Sequence, residues 1–294
     1  MPPEQPTVVD IAAWVERARE DPVQYRERQA TEVFLSAVGM SSPYGEKLYL
    51  KGGTLMGIAY DSPRQTADID FTAGLEPTAV VVEEIRSVLN RNLARAAARL
   101  GYPDLVCRIQ RIKRQPRTFE QASFPALEVT IACAVRGSRE EQRLHNGQCP
   151  NILRVDISFN EPVAAIQIIR LGDRGAFVHA YGLVDLVAEK LRALLQQLQR
   201  RHPRYRRQDV YDLARLIEAF PLDDGECRQI LAALREKARS RDIEPQSGSL
   251  DDPEVARMAA AEWETMQLEM EELPDFHSCY TVVQAFYRSL PWDT

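Results

Sequence analysis

The stretch Lys51-Gly52-Gly53-Thr54, followed by Asp68-Ile69-Asp70-Phe71, constrains this chain more than any other. A glycine turn leads into a short helix-forming run. After a return through Pro63, the pattern changes to polar–apolar alternation. Such alternation marks a strand, and a strand points residues i and i+2 to one face, roughly 6–7 Å apart. Asp68 and Asp70 therefore project side by side. Two carboxylates so placed suit one or two hard dications such as Mg²⁺, with ligand phosphates completing the coordination shell. The Gly-Gly-Thr turn can bring backbone N–H groups and a hydroxyl to the same phosphates. Taken singly, Asp-x-Asp fits a solvated strand face and Gly-Gly an ordinary tight turn. Their order along the chain is what points to phosphate chemistry.

Around this stretch the periodicity predicts a mixed fold. Residues 7–38 read as two helices, the first starting near Thr7 with Ile11, Trp14, Val15 and Ala18 at helical spacing. Lys47–Leu50 reads as a strand, Thr54–Tyr60 as a short helix and Ala67–Ala73 as a strand. Pro77 opens a long helix to about Leu100, since proline suits a first helical turn. From about Leu105 to His179 the pattern is strand-like: Leu105–Ile112, Ala126–Val135, Ile152–Phe159, Ala164–Arg170 and Ala176–Ala180. Helical patterns then cover 183–201, 206–219, 224–239, 253–270 and 278–289. The expected class is α+β: a bilobed chain with a mixed-sheet core over residues 1–181, followed by an all-helical domain over residues 182–294.

Composition excludes some classes. Hydrophobic residues make up 45% of the 294, enough for a core, yet no run of about 18 apolar residues would span a membrane. The opening Met1-Pro2-Pro3-Glu4-Gln5-Pro6 lacks a signal-peptide pattern. The five cysteines are scattered, odd in number and form no Cys-x-x-Cys, so a reduced, cytoplasmic protein is expected. Net charge is -6, which disfavours a general polyanion binder. The distribution is uneven, however. Lys190, Arg192, Arg200, Arg201, Arg204, Arg206 and Arg207 occur without an intervening acid, as do Arg108, Arg111, Lys113, Arg114 and Arg117. Such stretches can focus positive potential locally.

A two-metal site would need a third carboxylate from a neighbouring strand. Asp156, in Val155-Asp156-Ile157, and Glu128, in Leu127-Glu128-Val129, both have the form for it, with Asp156 preferred. Lys190 lies inside the apolar stripe of its helix, between Leu186 and Leu194. An inward lysine must snorkel, pair with an acid or meet a ligand phosphate. Asp209 opens the next helix and is expected nearer its apolar side than Asp212. No four-ligand zinc spacing and no Gly-x-Ser-x-Gly elbow is present.

Two blocks together resemble the AbiEii/MenT-like nucleotidyltransferases, toxins of the bacterial AbiE-type toxin–antitoxin systems within the DNA polymerase β-like superfamily. One is Lys51-Gly52-Gly53-Thr54 with Asp68-Ile69-Asp70-Phe71. The other is Leu186-Val187-Ala188-Glu189-Lys190-Leu191-Arg192-Ala193-Leu194 with Arg207-Gln208-Asp209-Val210-Tyr211-Asp212-Leu213. The resemblance implies a nucleotidyltransferase core, a helical second lobe and a site in the cleft between them. It implies that Asp68 and Asp70, with Asp156, hold Mg²⁺, and that Lys51, Gly52, Gly53, Thr54 and Lys190 meet the nucleoside triphosphate. It further implies Asp209 as the acid of the last motif, tRNA as acceptor and a cognate antitoxin as partner. Arg200, Arg201, Arg204, Arg206 and Arg207 are the expected RNA contacts. The chain departs from the pattern in the thirteen residues between Thr54 and Asp68, and in Gln208 where a lysine is expected.

Overall fold

A computed structural model describes residues 5–66, 68–200 and 204–293. By its internal packing the chain divides into two units. One comprises Met1–Asp61, Thr66–Glu161 and Gln167–Ala180; the other comprises Ser62–Gln65, Pro162–Ile166 and Tyr181–Thr294.

The first unit begins with strand β1 (Thr7–Val9), then helices α1 (Ile11–Glu16) and α2 (Pro22–Gly39). Thr7 does not start a helix as expected. Thr-Val-Val is β-branched and pairs in parallel as an edge strand, and the Asp10 carboxylate instead accepts from Ala13 N–H to cap α1. Asp21 caps α2, with Pro22 pre-set in its first turn. Strand β2 (Leu48–Lys51) runs into helix α3 (Gly52–Ala59), followed by β3 (Asp68–Ala73) and α4 (Ala79–Arg99). The α4 cap is the Thr78 side chain, accepting from Val81 N–H, so Pro77 lies just outside the helix rather than in its first turn. Strands β4 (Leu105–Gln115) and β5 (Ala126–Val135) come next, then helix α5 (Arg139–His145), then β6 (Ile152–Phe159), β7 (Ile166–Leu171) and β8 (Phe177–Tyr181). Helix α5 was not expected. It is short, and the turn residues Gly137-Ser138 and Asn146-Gly147 bracket it, but Ser138 caps it and Leu144 anchors it.

These strands form one mixed sheet in the order β1-β7-β8-β2-β3-β6-β5-β4. Helices α2 and α4 pack on one face, where Phe34 meets Phe71 edge to face at 6.0 Å. Ile69, Phe71, Val155, Ile157, Leu127 and Val129 point into that core. The opposite face is polar along the middle of β3, β6 and β5. Further along β5, Ala132 and Ala134 share this polar side, and there Leu144 of α5 and Cys149 cover them in a small second core.

The second unit is helical: α6 (Leu183–Leu195), α7 (Arg207–Ala219), α8 (Asp224–Arg239), α9 (Pro253–Ala260) and α10 (Phe276–Ser289). Two expected helices are shorter than the periodicity indicated. After α6 the chain tightens into a 3₁₀ turn at Gln196–Gln199. After α9 the left-handed residue Glu262, φ 58°, breaks the run, and a 3₁₀ segment Trp263–Leu268 follows. The expected mixed-sheet class with a helical continuation is what the chain adopts. No helix among the described residues is long and apolar enough to cross a membrane, and all five cysteines are free.

Candidate functional site

Register assembles the polar face. On β3, Asp70 lies opposite Lys51 of β2 on one side and Asp156 of β6 on the other; Asp156 lies opposite Glu128 of β5, and Glu128 opposite Lys113 of β4. Directly opposed residues share a face. One row therefore reads Lys51, Asp70, Asp156, Glu128, Lys113. The row beside it reads Asp68, Arg154, Thr130, Arg111. Asp68 and Asp156 are exposed and Asp70 is half-buried.

The two candidates for a third carboxylate differ in what surrounds them. Glu128 accepts from Lys113 Nζ at 3.0 Å and from Gln115 Nε2 at 2.9 Å. The Lys113 hydrogen bond, then that from Gln115, holds its pKa below the usual carboxylate value. It is thus engaged toward the sheet edge. Asp156 is the immediate neighbour of Asp70. Among the described residues no three His, Cys, Asp or Glu side chains are already gathered around one point. The donor set nonetheless fits Mg²⁺, which is usually held by one or two carboxylates and completes its octahedron with water and substrate phosphate.

The glycine turn touches this row. Gly52 has φ +70°, a left-handed conformation that L side chains rarely adopt, and a Cβ built there would overlap the Asp70 carboxylate. The N-terminus of α3, whose first N–H groups have no intrahelical acceptor, thus starts against Asp70. Lys51 donates to Ser158 Oγ at 3.1 Å, one row along. Thr54 is buried, and its hydroxyl donates to the Asp68 carbonyl at 3.1 Å, tying α3 to β3. Gly52 and Gly53, just before it, are half-buried.

In the second unit Lys190 on α6 is 6% exposed. It donates to Asp212 Oδ2 at 2.7 Å and to Asp209 Oδ1 at 3.1 Å, both on α7. Its third N–H has no acceptor among the described residues. Burial alone would lower the Lys190 pKa, but Asp212 and then Asp209 outweigh it and raise the value. Burial likewise opposes ionisation of Asp212, and Lys190 and then Arg64 outweigh it, so its pKa falls. Arg64 donates to both oxygens of Asp212, at 3.4 and 3.3 Å, and to Glu269 at 3.1 Å.

The expectation that Asp209 sits deeper than Asp212 is corrected. Asp212 is fully buried, whereas the Asp209 side chain keeps 16% exposure. Leu216 is buried while Ile217 and Phe220 are only half-buried, so the buried arc of α7 turns toward residue 212. Asp212, Arg64 and Glu269 are the network residues that sequence reasoning missed. The i+3 spacing of Asp212 from Asp209 was the available signal for the first. For Arg64, in a loop between Pro63 and Gln65, periodicity carries no signal.

The described arginines among the expected RNA contacts differ in their surroundings. Arg206 pairs with Asp209 at 3.3 Å, and Arg207 lies 3.9 Å from Glu262. Arg200 donates to Gln196, and Arg204 is exposed. Burial, then the like charges of Arg206, Arg204, Arg192 and Arg241, lower the Arg200 pKa to about 10. Arg201 lies outside the described residues.

A family model described as "Nucleotidyl transferase AbiEii toxin, Type IV TA system" matches residues 33–285. No curated protein matches the chain. Similar solved structures include MenT4, a nucleotidyltransferase toxin from Mycobacterium tuberculosis H37Rv, at 15% identity, covering 96% of this chain and 91% of that one, with a TM-score of 0.58. JHP933 from Helicobacter pylori is 12% identical, with 92% of each chain covered and a TM-score of 0.50. At these identities the likeness to the solved structures is one of fold.

Proposed function

The chain belongs to the AbiEii nucleotidyltransferase toxin family, and on that premise we propose that it transfers a nucleoside monophosphate from a nucleoside triphosphate to the 3′ end of tRNA, using Mg²⁺. The observation that carries this reading is the register that sets Asp70 beside Asp156, with Gly52 against the Asp70 carboxylate. Asp68, Asp70 and Asp156 would hold Mg²⁺, which when bound offsets the charge developing on the phosphates. The acceptor 3′-hydroxyl oxygen forms a bond to the α-phosphorus as the bond to the bridging oxygen breaks, and pyrophosphate leaves. Asp156 takes the hydroxyl proton. Backbone N–H groups at Gly52 and Gly53, with the Lys51 ammonium, receive phosphate oxygens.

Residues 1–181 carry the reacting groups in this reading, and residues 182–294 carry Lys190. Asp209 and Asp212 keep Lys190 charged and oriented. Because the family is that of a toxin–antitoxin system, a cognate antitoxin protein is the expected partner.

The test is purified protein with tRNA, each NTP in labelled form, and Mg²⁺. Label on the tRNA 3′ end, lost in Asp68→Ala by at least about 10³-fold, supports the reading, a scale set by what positioned electrostatic groups contribute. Label on protein or on a small molecule instead would overturn the choice of acceptor.

A further inference from the structure

The carboxylate face continues into a positively charged track. From Asp68 the row crosses Arg154 and Thr130 and ends at Arg111 on β4, the edge strand of the sheet. Arg108 lies on the same side, opposite Ala132. Arg108, Arg111 and Arg154 are all exposed, and their side chains have no hydrogen-bond or ion-pair partner among the described residues.

The shared orientation of Arg108 and Arg111 is a built feature. Residues three apart in a regular strand face opposite ways. A bulge at Gln110 shifts the register between Ile109 and Arg111, and so turns both arginines to the carboxylate side. The Gln110 side chain fixes that bulge, accepting from Cys149 N–H at 2.9 Å and donating to the Cys149 carbonyl at 3.3 Å. Charges that merely guard an edge strand against aggregation need no such common direction.

Resting on the transferase reading above, we propose that this track binds the phosphodiester backbone of the acceptor RNA as its 3′ end approaches Asp68 and Asp70. Three strand spacings separate β3 from β4, about 14 Å. That length calls for a chain of phosphates rather than the single triphosphate held at the pair. Arg154 takes a phosphate close to the reacting end, and Arg111 and Arg108 take phosphates further back. The occupant is an RNA single strand; an acidic protein surface is the competing occupant.

Anisotropy titrations of fluorescently labelled tRNA, without NTP and over a range of salt, test this on the full chain. The variants are wild type, Arg108→Ala/Arg111→Ala/Arg154→Ala, and Arg111→Glu. Each lost phosphate contact to a single strand should weaken binding about fivefold at 0.1 M salt, hence on the order of 100-fold for three, and flatten the slope of log K against log salt by about 2. Arg111→Glu should weaken binding by more than the roughly fivefold of one lost contact, because it adds a repulsive charge. Because the three side chains are exposed, an unchanged melting temperature assigns the loss to the surface. Equal affinity and slope in the triple variant would overturn the proposal. So would a wild type that does not bind tRNA. Failure of the transferase reading shows separately, as label incorporation that survives Asp70→Asn, which this binding measurement does not use.

Discussion

Gly52 is held to glycine by two constraints at once. Its φ of +70° and the closeness of Asp70 act together, so Gly52→Ala strains the backbone and pushes on the carboxylate. A backbone outlier of this kind is worth about 1–3 kcal/mol, and Gly52→Ala should lower the unfolding free energy by that order in urea titrations. It should also reduce nucleotide transfer. Asp212 is the corresponding residue of the second unit. Asp212→Ala leaves Lys190 and Arg64 buried without their shared acid and should cost about 3–5 kcal/mol, whereas Asp209→Ala, removing a partly exposed partner, should cost less. Equal costs in chemical denaturation would reverse the ranking of the two acids. The pH dependence follows from the same pair. The Asp212 pKa is lowered from 3.8, so its contribution is present above that value and fades as pH falls below it. The Lys190 pKa is raised from 10.5, so its contribution is present below that value and fades as pH rises past it. The stability of wild type minus that of an apolar Lys190→Met/Asp212→Leu variant should therefore be flat between about pH 5 and 9 and decline outside it. A slope within that window would contradict the assignment.

At the scale of elements, the parts with a local cause were readable from sequence and those with a distant cause were not. Asp68 and Asp70 share a face because strand alternation requires it, and the pattern Asp-Ile-Asp-Phe displays that alternation directly. The neighbour of Asp70 was not readable, since β6 follows β3 in space but lies some eighty residues later in the chain. Asp156 and Glu128 had the same local form, and only register and the Lys113–Glu128 pair separate them. Lys190 stood out as a charge in an apolar stripe; whether acids received it depended on how α7 turns. The basic stretch Arg108–Arg117 was visible as composition, but the bulge that aligns Arg108 with Arg111 depends on Cys149, a contact no periodicity records. Helix ends were governed by caps. Thr78 rather than Pro77 begins α4, and Thr78→Ala should cost about 1 kcal/mol, measurable as a lower urea midpoint with an unchanged slope.

For the whole molecule, an acidic total of -6 coexists with a sheet face on which Arg108, Arg111 and Arg154 lie beside the carboxylates, and positive potential focused locally in this way can act on a polyanion despite the net charge. As a family toxin, the protein should arrest growth when produced without its antitoxin, and Asp70→Asn should abolish the arrest while leaving expression and melting temperature unchanged. The proposed chemistry depends on strand register gathering a dication-binding acid pair at Asp70 and Asp156, beside the glycine turn. Paramagnetic titration of Mn²⁺ in the presence of nucleoside triphosphate tests it most directly. Wild type and Glu128→Gln should take up the ion with the same affinity, and Asp70→Asn/Asp156→Asn should lose it. Undiminished uptake by the double variant would contradict the account.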